Sequence, residues 1–113
     1  MKTTQKNTDF DFSALAEMCE WERQKAVYLL HIADQIGFDY SNGTGCIGVN
    51  NSSGYTYLWS ENYSFCLFMP ISCELEKTHV CALWTNPDTG YEIDRELEED
   101  DDCQSLIEWA ENL

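Results

Sequence analysis

Positive charge is scarce in this chain. Six Lys and Arg stand against 21 Asp and Glu among 113 residues, giving a formal net charge of −15. The bases are scattered at Lys2, Lys6, Arg23, Lys25, Lys77 and Arg95. A protein that neutralises phosphates needs clustered Lys and Arg, so direct binding to DNA, RNA or an anionic membrane is excluded. Long hydrophobic runs are missing too. No stretch approaches the roughly 20 apolar residues of a membrane span, and the polar start Met1–Thr8 carries no apolar signal-peptide segment. A cytoplasmic protein is expected. Signatures of catalysis are also lacking: the chain has no G-x-S-x-G, no H-E-x-x-H and no P-loop. Gly43-Thr44-Gly45-Cys46-Ile47-Gly48 spells G-x-G-x-x-G, but strands follow it where a dinucleotide site needs a helix. The expectation is a protein that is not an enzyme and takes no cofactor.

What is present suffices for a folded domain. The hydrophobic fraction is 43% and the aromatic fraction 13%, enough to build one core at this length. Residues 1–113 read as a single domain, with 1–9 as a flexible polar arm. Asp11 or Ser13 starts a helix running to about Ile36. Its apolar stripe is Leu15, Met18/Cys19, Ala26, Leu29/Leu30, Ala33 and Ile36, and Gly37 stops it. Trp21 and Tyr28 lie off that stripe and are expected against a sheet edge. A turn-rich stretch, 41–54, holds a short strand near Cys46–Val49. The alternation of Tyr55–Ser60 marks a strand with Tyr55, Tyr57 and Trp59 on one face. A turn at Glu61-Asn62 leads to a strand over Tyr63–Met69, which Pro70 ends. His79–Thr85 is another strand, the Asn86–Gly90 turn follows, and Tyr91–Ile93 is a short edge strand. A helix over about 102–112 closes the chain. The expected fold is α+β: a long N-terminal helix, a four-stranded antiparallel meander and a short C-terminal helix, with the helices packed on one face of the sheet.

The six cysteines read mainly as small buried hydrophobes, because cytosolic thiols stay reduced. A disulfide framework fits the even count but lacks a secretory context. Cys66, Cys73, His79 and Cys81 are close in sequence, yet none of the tight C-x2-4-C pairs of zinc sites occurs. His79 and Cys81, two apart on one strand, would share a face, which leaves a Cys–His hydrolase as a third-ranked reading. His31 and Asp34 read as a surface contact. No EF-hand pattern is present, and no metal is expected.

The dominant feature is residues 88–102, where Asp88, Glu92, Asp94, Glu96, Glu98, Glu99, Asp100, Asp101 and Asp102 surround a single base, Arg95. Like charges this dense weaken the compact state. One reading is a solubilising loop. The other is a surrogate for nucleic-acid phosphates, whose spacing such carboxylates approach. The acidic residues, with Trp84 and Tyr91 flanking the turn as aromatic contacts for Arg-rich surfaces, form the candidate partner-binding set. The partner expected is a basic nucleic-acid-binding protein.

The segment Gly54-Tyr55-Thr56-Tyr57-Leu58-Trp59-Ser60-Glu61-Asn62-Tyr63-Ser64-Phe65, followed by Phe68-Met69-Pro70, resembles the hairpin of the KlcA/ArdB antirestriction family. That family shows a Gly-Tyr-Trp start, a turn with twin glycines and an aromatic–Met–Ala–Pro finish. This chain lacks the twin glycines and joins Met69 directly to Pro70. In composition the chain is also similar to small acidic phage-encoded anti-CRISPR and DNA-mimic proteins. The resemblance implies an inhibitor from a phage or mobile element, acting in a bacterial host on the basic groove of a CRISPR effector or restriction enzyme. The alternative is a generic interaction module, with a homodimer through its aromatic sheet as one form.

Overall fold

The computed structural model describes residues 13–40, 46–61 and 64–113. The expected polar arm at 1–9 and most of the turn-rich stretch's first half lie outside them. The expected N-terminal helix is two helices, α1 (Ser13–Ala16) and α2 (Glu20–Ile36). Cys19 breaks the run with extended backbone, φ −70° and ψ 169°. Its amide donates to Glu22 Oε1 at 3.1 Å. Arg23 then closes the end of α1, donating from Nε to the Leu15 carbonyl at 2.9 Å and from Nη2 to the Met18 carbonyl at 2.7 Å. A helix end needs such partners for its last carbonyls, and here a side chain from the next helix supplies them. Gly37, at φ 79°, ends α2 as expected.

Five strands follow where four were expected: β1 (Ile47–Asn50), β2 (Tyr55–Trp59), β3 (Phe65–Pro70), β4 (Cys81–Thr85) and β5 (Glu92–Glu96). They form one antiparallel sheet in the order β1-β2-β3-β4-β5. The extra strand is the short one near Cys46–Val49. Two glycines make it possible. Gly54, at φ 74°, turns the chain back toward β2, and its amide donates to the Asn50 carbonyl at 2.7 Å. Gly48 sits under the Tyr57 ring, and a Cβ there would lie 2.6 Å from the phenol oxygen. A 3-10 turn, Lys77–His79, precedes β4, so His79 is not in a strand. Helix α3 (Cys103–Glu111) ends the chain, with Asp102 as its N-cap.

The core is one cluster. Ala26, Leu29, Ile32, Ala33 and Ile36 of α2 and Leu106 of α3 meet Leu58, Leu67, Met69 and Ala82 of the sheet. Register puts Leu58, Leu67 and Ala82 in one row across β2, β3 and β4. Trp21 stays outside the core cluster, 49% exposed. Thr56 is fully buried in the same layer, and among the described residues its hydroxyl has no hydrogen-bond partner. A desolvated, unpaired hydroxyl costs about 1–3 kcal/mol. Thr56→Val keeps the shape and removes the oxygen, so it should raise stability by about 1 kcal/mol in urea unfolding. A loss of stability would mean that this hydroxyl has a partner.

Candidate functional site

The acidic segment divides into three parts. Asp88 lies exposed in the β4–β5 turn, and Glu98, Glu99 and Asp100 lie exposed in the loop beyond β5. The strand between them holds the two groups roughly 13–17 Å apart. Along β5, Glu92, Asp94 and Glu96 are exposed, alternating with the half-buried Ile93 and Arg95. Same-face neighbours on a strand are about 6.7 Å apart, whereas phosphates on one DNA strand come every ~3.4 Å. The strand ladder is therefore about half as dense as a single DNA strand.

Asp101 belongs to the scaffold and not to the outward charge. It is only 8% exposed. Arg95 grips it with two bonds, Nη1 to Oδ2 at 2.9 Å and Nη2 to Oδ1 at 3.0 Å. The Glu98 amide and the Ser105 hydroxyl also donate to it, at 2.8 and 2.9 Å. Burial alone would raise its pKa, but the bonds from Arg95, Glu98 and Ser105 outweigh it and hold the carboxyl below the usual range. The same pairing raises the Arg95 pKa. Arg95 also lies 5.3 Å from the Trp109 ring centre, so α3 covers it with a cation–π contact. Beneath the loop, buried Lys77 donates from Nζ to the carbonyls of Glu99 and Asp101 at 2.7 and 2.8 Å. Asp102 accepts from the Ser105 amide at 2.9 Å as the cap of α3. The acidic loop is thus pinned from three sides, and its exposed carboxylates project from a fixed base.

Of the two aromatic candidates, Trp84 does not share a face with the acidic ladder. Trp84 pairs with Phe65 and Ile93 in register, and lines a cavity of about 600 Å³ with Phe38, Phe65 and Leu106. Tyr91 is 70% exposed at the turn. The rings beside Glu92, Asp94 and Glu96 are others. Strand alternation puts Tyr55, Tyr57, Trp59 and Phe68 on the side of the sheet opposite Leu58, Leu67 and Ala82. Register joins Tyr57, Phe68, Cys81 and Glu96 in one row across β2 to β5. The alternation of Tyr55–Trp59 was the signal for this face. Only the pairing of β4 with β5 shows which side the acids take.

The Cys–His reading meets three obstacles. His79 is off the strand, its Nδ1 is 3.0 Å from the Glu74 carbonyl, and Nε2 is 3.9 Å from Glu76. Burial, then Glu96 and Asp94, pushes the Cys81 thiol up to about 11. That opposes the thiolate a nucleophile needs. His31 and Asp34 also part company: His31 lies beside the Tyr28 ring at 6.0 Å, and Asp34 accepts from the Tyr40 hydroxyl at 3.4 Å. Cys46 and Cys66 are buried, Cys73, Cys81 and Cys103 are half-buried and Cys19 is exposed, so fewer of the cysteines are buried than expected. Among the described residues, no three His, Cys, Asp or Glu side chains converge to hold a metal ion, and no helix is long and apolar enough to cross a membrane. No family model matches the chain, and no curated protein or solved structure is detectably similar to it.

Proposed function

We propose that this chain is a non-catalytic inhibitor, encoded by a phage or other mobile element, that binds the basic nucleic-acid groove of a CRISPR effector or restriction enzyme. The observation that carries the reading is the pinned acidic loop. Arg95, Lys77 and the α3 cap hold Glu98, Glu99 and Asp100 in place before any partner arrives. Preorganised charge avoids the ordering cost of binding, and a −15 chain is steered toward a basic groove. A purely solubilising loop has no need of three anchors. Both helices lie on one face of the sheet in this reading, which leaves the acidic edge and the other face for the partner. The hairpin resemblance to antirestriction proteins points the same way, and covers β2 and β3.

The test is inhibition of DNA cleavage by purified CRISPR effectors and restriction enzymes, with the wild type against Glu98→Lys/Glu99→Lys/Asp100→Lys. Asp101 and Asp102 are left intact because the fold uses them. The wild type should inhibit stoichiometrically, and the reversed protein should need at least about tenfold more for the same effect, since each lost charge contact at such grooves is worth about 1 kcal/mol or more. Undiminished inhibition by a folded reversed protein would refute the acidic-loop mechanism.

A further inference from the structure

Resting on the reading of a basic partner, we infer that the docking surface extends over the sheet face opposite the helices, where Tyr55, Tyr57 and Phe68, bordered by Glu92, Asp94 and Glu96, receive arginine side chains of an extended segment of that partner.

This face carries three rings. Tyr57 lies across Gly48, where the absent Cβ gives it room. The Tyr55 and Phe68 rings sit 5.0 Å apart, tilted by 50°. All three are half-buried. The buried residues of α2 and α3 join the cluster on the opposite side, through Leu58, Leu67 and Ala82. Between the rings and the acids lie Cys66, Cys81 and Leu83. The two thiols are kept neutral by burial, so the floor is apolar. The surface is therefore an aromatic floor with a carboxylate border along one edge.

That combination selects its occupant. A half-buried aromatic face with one charged border suits a group that is both flat and cationic. Arginine satisfies both halves. Its guanidinium stacks on rings and pairs bidentately with carboxylates, whereas the compact, strongly hydrated ammonium of lysine does not stack. Phe68, Cys81 and Glu96 occupy adjacent strands of one row, so ring and carboxylate backbones stand about 10 Å apart. An extended segment crossing the strands sets alternate side chains about 6.7 Å apart. The two spacings differ by about 3 Å, a gap that the long arginine side chain spans. One arginine lies over Phe68 while the next reaches Glu96. A second copy of this chain is the poorer occupant, because it would bring −15 against −15.

The probes are nona-arginine and nona-lysine peptides of equal charge, titrated calorimetrically into the full chain at low salt. Nona-arginine is expected to bind about tenfold more tightly, the size of one or two cation–π contacts. Tyr57→Leu/Phe68→Leu keeps apolar bulk and should erase that preference while leaving nona-lysine binding unchanged. Ring-proton shifts of Tyr55, Tyr57 and Phe68 in the unmodified protein, followed by NMR during the nona-arginine titration, give the same answer should the variant fail to fold. Equal affinity for both peptides, with shifts confined to 98–102, overturns the docking face but leaves the basic-partner reading standing. Failure of both peptides to bind overturns both. A dimer by light scattering whose dissociation alone moves the ring protons would assign the face to a second copy and overturn the inference.

Discussion

Cutting Asp101 back to alanine should destabilise the fold by about 3–5 kcal/mol, the usual cost of removing one partner from a buried ion pair. Asp101 accepts from Arg95 twice, from the Glu98 amide and from the Ser105 hydroxyl. Its loss strips the Arg95 guanidinium under Trp109 of its bidentate partner and takes the acceptor from the Glu98 amide, while the Ser105 hydroxyl keeps the Asp102 carbonyl. For a domain of this size the melting temperature should fall by more than about 10 °C. Asp100, one residue away and exposed, is the control: Asp100→Ala should stay within about 0.5 kcal/mol. Equal effects at the two positions would contradict the buried pairing. The same carboxyl ties stability to pH. Its pKa is lowered in the fold, so its contribution is complete above the unfolded value of about 3.9 and is lost as pH falls through the folded value. The stability gap between wild type and Asp101→Ala should therefore narrow as pH falls from about 4 through the folded value.

Alkylation should divide the thiols sharply. Burial pushes the Cys66 thiol up to about 12, partly offset by a backbone hydrogen bond at Leu58 and reinforced by Glu92. Cys81 rises to about 11. Only the thiolate reacts, and an ordinary thiol near 8.5 is about one-tenth ionised at pH 7.5. A thiol near 12 is ionised to only about three parts in 100,000 at that pH. Iodoacetamide should thus modify exposed Cys19 at least about tenfold faster than buried Cys66 in the native protein, read by mass spectrometry of digested peptides. Cys81 labelled as fast as Cys19 would restore the Cys–His nucleophile.

Much of the fold was legible in the chain. The three- and four-residue spacing of Ala26, Leu29, Ala33 and Ile36 marked α2, and period-two alternation marked β2. Asn-Pro-Asp-Thr-Gly marked the β4–β5 turn, where Asn86 Oδ1 indeed accepts from the amides of Asp88 and Thr89. The break at Cys19 was hidden because the apolar spacing continues through it, and Arg23 does the terminating from outside the stripe. The short strand near Cys46–Val49 was legible, but not its place as β1 in the sheet, because its glycine, a poor strand former, is there to admit a ring from the neighbouring strand. The acidic segment was visible as charge and opaque as geometry. Nothing in Asp100-Asp101-Asp102 tells which carboxylate turns inward. That choice is made by Arg95, six residues earlier, and by Ser105. Lys77 gave no sign of its role either, since its partners are backbone carbonyls 22 and 24 residues away.

Strand β5 ends the sheet, and among the described residues no further strand pairs with its outer backbone. Such an edge is a template on which a foreign strand can add, the first step toward aggregation. Here Glu92, Asp94 and Glu96 crowd one side of it, and Arg95 places a charge on the other. An incoming strand would have to lie against carboxylates and bury a guanidinium already committed to Asp101. The charge that costs this domain stability also guards its most vulnerable border, and only a partner that supplies the opposite charge can approach it without penalty.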